Sequence, residues 1–409
     1  MPVARRARRV RRPRLAAALL AAAASFGCLL SGPAHAGTPG HAESPGRSGP
    51  HASAGEDRAL RARLAAFTAA PGGPPGAVAV IRVDGRRAVY RAGVADLATG
   101  RPPRARDHMR IASTAKAFSG AVALSLVDAG RLRLDDTIGR RLPRLPKAWG
   151  KVTLRQLLQH TSGLPDYSEA PSFVAELTAD PHHHFDSRRL LDYVAGLPLG
   201  FAPGSRYHYS NSDNIAVALM AEAATGRRYE SLLDTLVDRP LRLRDTTLPQ
   251  DWRLPEPYLH GYAPGEDGGA PEDVSTLLSA SGVWASGGIV STPDDLAAFT
   301  AGYAGGQLFG PAVRRAQFAF VPGASEPAGP GVNAAGLAVF RYATRCGTVY
   351  GHTGNFPGYT QFAAATADGR RAVTVSITRQ VNATVDPQRL PELRALEEDF
   401  VCAALHGAR

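Results

Sequence analysis

The sequence predicts a mixed α/β (α+β) fold. One antiparallel sheet, formed by N-terminal and C-terminal strands, is flanked by helices and accompanied by a mostly helical second lobe. Three observations point there. Strand-like runs cluster near the two ends, helical spacing dominates the middle, and 409 residues with 44% hydrophobic content suffice for a real core.

Residues 1–14 contain seven arginines (Arg5, Arg6, Arg8, Arg9, Arg11, Arg12, Arg14) and no acid. An apolar stretch over 15–30 and the small-residue triplet Ala34-His35-Ala36 follow. Together they describe an export signal over 1–36, so a secreted, extracellular protein is expected. The apolar run is too short and Ala-rich for a membrane span. Without residues 1–36 the net charge of +11 falls to +4, with 40 bases and 36 acids. The basic character therefore sits mostly in the signal, and no nucleic-acid partner is expected. Residues 37–55, rich in Gly, Pro, Ser and His, read as a disordered leader. A sheet domain over 56–140 and 285–409 and a helical domain over 141–284 complete the expected organisation.

Residues 56–69 carry Leu60, Leu64 and Phe67 at helical spacing. Residues 77–83 and 88–90 flank Asp84-Gly85 as a hairpin. A helix over 113–129 follows from Phe118, Val122 and Leu126, with Gly130 at its C-terminal cap. Further helices are expected at 154–159 after Thr153 and at 214–225 before Gly226. Another starts at Thr292-Pro293-Asp294-Asp295, which supplies a cap, a proline and first-turn acids. Strands return at 360–365 and 372–377 around Ala367-Asp368-Gly369, and a last helix covers 391–405. Cys28 lies in the signal. Cys346 and Cys402 remain as an even pair in an exported chain, where a disulfide is favoured over two buried thiols. Phe26-Gly27-Cys28 loosely resembles a lipid-attachment site, but the apolar Leu29-Leu30 after it argues otherwise.

No Gly-x-Ser-x-Gly elbow, P-loop, His-Glu-x-x-His, Cys-x-x-Cys or dinucleotide fingerprint is present. His182-His183-His184 reads as a solvated loop, because no further ligand sits at metal spacing, and no metal or cofactor is expected. The chain has only three lysines, Lys116, Lys147 and Lys151. One completes Ser113-Thr114-Ala115-Lys116, a spacing that places both side chains on one helical face. A crowded lysine amine loses its proton readily and can accept one from a serine hydroxyl. Tyr209-Ser210-Asn211 begins 96 residues after Ser113, and His352-Thr353-Gly354 begins 143 after Tyr209, abutting the expected strand at 360–365. Singly, Tyr209 reads as a core residue, Asn211 as a helix cap and His352 as a satisfied histidine. In this order and combination they match Ser-x-x-Lys, Tyr-x-Asn and His-Thr-Gly, forms of a known acyl-serine signature.

With these motifs the chain resembles the serine β-lactamase and penicillin-binding protein family, in its class C-like branch. Within that branch it is similar to the exported D-alanyl-D-alanine carboxypeptidases of actinomycetes. The resemblance runs over about residues 56–405. It includes Arg110-Ile111-Ala112-Ser113, the stretch from Leu157 through His160-Thr161-Ser162-Gly163 to Pro165, Pro203-Gly204, and Ala285-Ser286-Gly287-Gly288. It implies Ser113 as nucleophile, Lys116 as proton acceptor and Tyr209 as general acid/base. Asn211 would hold substrate or Lys116. His352, Thr353 and Gly354 would line the cleft and meet a substrate carboxylate, and the backbone N–H groups of Ser113 and Asn355 would form the oxyanion hole. Arg341 is the nearest candidate for the cation that relatives place beside that carboxylate. The implied ligands are peptidoglycan stem peptides or β-lactams, bound by a monomer. A class C-like β-lactamase, an esterase or D-amino-acid amidase on the same fold, and a non-catalytic wall-peptide binder are the alternatives.

Overall fold

The computed structural model describes residues 54–265 and 268–406. Its main sheet has eight strands: β1 (Gly76–Val83), β2 (Arg86–Gly93), β3 (Val321–Pro322), β4 (Val332–Ala335), β5 (Phe340–Thr344), β6 (Gly347–Phe356), β7 (Tyr359–Ala365) and β8 (Arg371–Ile377). The order is β2-β1-β8-β7-β6-β5-β4-β3, and every pairing is antiparallel. Asp84 and Gly85 both have positive φ, 51° and 80°, which the tight β1–β2 turn requires. The two ends of the chain meet at β1 and β8, with Ala77 opposite Ile377 and Val83 opposite Arg371.

Five longer helices position the rest: α1 (Ala54–Ala69), α2 (Ala115–Asp128), α3 (Asn211–Thr225), α4 (Pro293–Ala304) and α5 (Arg389–His406). Leu64 and Phe67 of α1 pack with Leu396 and Phe400 of α5 against Ile81, Phe362 and Val375 on one face of the sheet. On the other face Phe299 of α4 stacks on Phe118 of α2, ring centroids 3.6 Å apart. With both faces covered, every residue of β7 is buried, the polar Thr360 and Gln361 included. Among the described residues of 141–284, helices and turns dominate, with a two-residue ladder pairing Tyr262–Ala263 with Glu272–Asp273 and a few isolated bridges.

Several boundaries differ from expectation. The signal over 1–36 and nearly all of the 37–55 leader lie outside the described residues, and Ala54 already belongs to α1. Ser113 sits on a 3₁₀ turn, Ala112–Thr114, that precedes α2. Helix α2 is buried all round from Ala115 to Leu126 rather than on one stripe. Small residues make that possible: a Cβ on Gly120 would lie 2.1 Å from that of Ala338. Helix α3 starts three residues early, at Asn211, and ends at Gly226 with φ 70°.

The largest correction concerns His352-Thr353-Gly354, which lies inside β6 rather than beside a strand. The expectation failed because this strand carries Gly347, Gly351 and Gly354 and no alternation. Gly351 is imposed by space, since a Cβ there would fall 1.9 Å from the Ala363 carbonyl oxygen. Cys346 and Cys402 are joined by a disulfide that ties the β5–β6 turn to α5. Among the described residues, no helix is long and apolar enough to cross a membrane.

Candidate active site

The site forms where the 3₁₀ turn carrying Ser113 meets β6, the start of α3 and residues 283–287. Ala112 adopts φ 50°, a left-handed conformation that costs a non-glycine residue on the order of 1–3 kcal/mol. Packing holds the turn. A Cβ on Gly354 would sit 2.2 Å from the Ile111 carbonyl oxygen and 2.9 Å from Thr114 Oγ1, so only glycine lets β6 close on the nucleophile's turn. Asn355 is thereby brought to the cavity that Ser113 also lines.

The Lys116 amine is completely buried. Its Nζ reaches three acceptors: Ser113 Oγ at 3.0 Å, Asn211 Oδ1 at 2.7 Å and the Ser286 carbonyl at 2.8 Å. It also lies 4.9 Å from the Tyr209 ring centroid. Burial pushes its pKa down to about 7, against the pull of Asp166, Glu326 and Asp213. When neutral, the amine has two N–H bonds for Asn211 and Ser286 and one lone pair, which faces the Ser113 hydroxyl.

Tyr209 is buried, and burial holds its phenol well above its ordinary pKa, opposed by a hydrogen bond with Ser113. It therefore stays protonated at neutral pH, as a proton donor must. Behind it lies the His160 ring, 4.5 Å away between centroids. His160 Nδ1 is 2.9 Å from Asp213 Oδ2, and Ser162 donates to the other oxygen of Asp213. Burial pushes His160 down to about 3, so it is neutral. Asn211 is oriented by its neighbours: its Nδ2 donates to Ser168 Oγ at 3.0 Å and its backbone N–H to Asp166 Oδ2 at 2.6 Å. Asp166 also accepts from the Ser168 N–H and hydroxyl.

The structure thus brings together Ser113, Lys116, Tyr209 and Asn211, with Asn355 beside them. The Asn355 side chain is spent on Gln380, Asn382, Thr360 and Val381, which leaves its backbone for the cavity. His352 and Thr353 depart from expectation. Both are buried, and neither lines the cavity of about 690 Å³. Thr353 Oγ1 donates to the Pro327 carbonyl at 2.6 Å, and His352 Nδ1 lies 2.6 Å from the Thr353 carbonyl oxygen. Pro327 thus covers Thr353, while the rings of Phe340 and Tyr209 flank His352, centroids 4.9 and 6.4 Å away. Burial pushes His352 to about 3, so it offers no positive charge. Arg341 also lies away from the cavity lining, over the Phe320 ring.

Sequence reading missed Asp166, the Ser286 carbonyl, the His160–Asp213 pair and Glu326. Asp166 directly follows the quoted run ending at Pro165, and Ser286 lies inside a quoted motif, so both were within reach. Nothing in the sequence marks Glu326, which only folding brings to the cavity. The three neighbouring histidines are engaged separately, His182 with the Thr276 carbonyl and His184 with that of Gln250.

Residues 58–397 match the Beta-lactamase family. Esterase EstB of Burkholderia gladioli is 38% identical over 181 residues, 42% of this chain and 46% of that protein. The D-alanyl-D-alanine-carboxypeptidase/endopeptidase AmpH of Escherichia coli is 31% identical over 228 residues, 54% of this chain and 55% of that protein. The chain thus spans about half the length of these curated relatives. A D-stereospecific amidohydrolase from Streptomyces sp. superposes with a TM-score of 0.70 at 27% identity, covering 86% of this chain and 99% of the other.

Proposed function

Since the chain belongs to the Beta-lactamase family, we propose that it is an exported serine hydrolase that cleaves amides of D-configured acyl residues through an acyl-serine intermediate. The observation that carries the chemistry is the desolvated Lys116 amine, 3.0 Å from Ser113 Oγ and neutral in part at pH 7. Ser113 attacks the carbonyl while its proton passes to Lys116. The oxyanion that forms faces the backbone N–H groups of Ser113 and Asn355. The C–N bond then breaks as Tyr209 protonates the leaving nitrogen, and the proton held on Lys116 returns the phenol to its acid form. In the second half Lys116 and Tyr209 take a proton from water, which attacks the ester. The acid is released and Ser113 regains its proton.

The leaving group separates two forms of this reading. A D-alanyl-D-alanine carboxypeptidase, which the sequence motifs and the AmpH relative support, releases D-alanine and must hold its carboxylate. Yet His352 is neutral and covered, the Thr353 hydroxyl is taken, Arg341 is away from the cavity, and Glu326 adds an acid there. These features, with the amidohydrolase relative, favour an uncharged leaving group, so we place the amidase form first. They weigh equally against carboxylate-bearing β-lactams as preferred ligands.

Incubation with D-phenylalanine amide and with an acyl-D-alanyl-D-alanine peptide tests this by measuring ammonia and D-alanine. Ammonia is expected to dominate, and Ser113→Ala to abolish it. Dominant D-alanine release would restore the carboxypeptidase form, and activity unaffected by Ser113→Ala would overturn both. Export rests on the N-terminal segment and is checked by N-terminal sequencing of protein from the culture medium, with Gly37 expected first.

A further inference from the structure

We infer that the Glu326 carboxyl is the cleft's binding group for an ammonium on the substrate, a specificity element within the acyl-serine reading on which this inference rests. Glu326 lies on the stretch 324–328, along the cavity wall near Lys116 and Tyr209. Its flanks are fastened. Tyr207 donates to the Ala324 carbonyl at 2.5 Å and Thr353 to that of Pro327. Tyr342 donates to Ser325 Oγ at 3.0 Å, and Arg394 to the Gly329 and Gly331 carbonyls at 2.9 and 2.7 Å. Within this braced segment the Glu326 carboxyl itself makes no hydrogen bond or ion pair with any described residue.

Glu326 is half-buried and its carboxyl meets the open cavity with no protein partner, so a ligand there can pair with it directly. The cations near it are otherwise committed. Arg394 holds backbone carbonyls, Arg206 lies over the Phe201 ring, and the Lys116 amine serves the nucleophile. Burial pushes Glu326 up to about 8, with Asp166 and Glu169 adding repulsion. It stays protonated in the empty cleft and ionises when a positive charge arrives. No group of three or more possible metal ligands occurs among the described residues, so a singly charged ammonium suits this lone carboxyl better than a divalent ion. Apolar residues Phe173, Val174, Leu177 and Leu278 line the same cavity and would take the side chain of a D-amino-acid amide.

The test is calorimetric binding to Ser113→Ala protein at about pH 7, where an α-amine is mostly protonated. The probes are D-phenylalanine amide and N-acetyl-D-phenylalanine amide, which differ in that one charge. The free amine is expected to bind about tenfold or more tightly. Its binding should release a proton, read from the dependence of heat on buffer. Adding Glu326→Gln should remove both the preference and the release, and Glu326→Asp should retain part of each. Equal or tighter binding of the acetylated probe overturns the inference without any Glu326 variant, as does a preference unchanged in Glu326→Gln. Neither readout needs turnover, so a failure of the acyl-serine reading registers separately, as hydrolysis that survives Ser113→Ala.

Discussion

Asn211→Asp places a carboxylate where an amide oxygen now lies 2.7 Å from Lys116 Nζ. A unit charge at that distance is worth about 1.5 kcal/mol with the dielectric of water and about 6 kcal/mol at an effective dielectric near 20. The lower figure is about one pKa unit. Desolvation of the new carboxylate, and its crowding by Asp166, cut the upper one. A rise of about one to two units is therefore expected, from about 7 to between 8 and 9. The neutral fraction of the amine at pH 7 falls from about one half to between a tenth and a hundredth, a loss of about 5- to 50-fold in acylation rate. The substitution also removes the bond from Nδ2 to Ser168. That loss lowers the plateau without moving the midpoint, so the two effects separate. The assay is kcat/KM for a chromogenic ester between about pH 5 and 10. The wild-type rate should rise through an apparent pKa near 7, and the variant should rise later and recover in alkali. A variant curve that drops uniformly with an unmoved midpoint would refute the assignment of Lys116 as the titrating base.

Gly354→Ala is expected to push β6 away from the Ser113 turn, because its methyl would meet the Ile111 carbonyl at 2.2 Å. The loss should be about 100-fold or more in kcat/KM with about 1–3 kcal/mol of stability, read by kinetics and urea melts. Activity within threefold of wild type would contradict it. Lys116→Met should abolish turnover while relieving a buried charge. The amine's pKa is about 7 folded against 10.5 unfolded, a burden on the order of 5 kcal/mol that is fully present below pH 7 and fades as the pH rises toward 10.5. Relative to wild type the variant should thus be most stable near pH 6 and lose ground by pH 9. Parallel urea midpoints at the two values would count against the depressed pKa.

What could be read in the sequence follows a physical division. The β1–β2 hairpin, β7, β8 and α4 were legible because alternation, a turn dipeptide or a cap residue announces each locally. Strand β6 was not, because its glycines answer to neighbours distant in sequence: Gly351 to Ala363, and Gly354 to Ile111 and Thr114. The site divides the same way. Ser113 and Lys116 are neighbours on one turn, and Tyr209 and Asn211 sit at the start of one helix, so spacing exposes them. The contact that takes up Thr353 comes from Pro327, beside Glu326 in a stretch with no motif, and so the cleft's charge at that end could not be foreseen.

That charge bears on catalysis as well as recognition. Burial alone would drive Lys116 lower, and Asp166, Glu326 and Asp213 hold it near 7. Asp166 is engaged in fixing Asn211 and Ser168, and Asp213 in bonds with Ser162 and His160. Glu326 is the member of the three whose carboxyl remains available to a ligand. Because that carboxyl is protonated in the empty cleft and ionises as an ammonium seats on it, the arriving positive charge is matched by a new negative one. The Lys116 amine, near both, then feels little net change and stays poised near 7 to accept the Ser113 proton. The carboxyl can select the substrate's charge without disabling the base that acts on it.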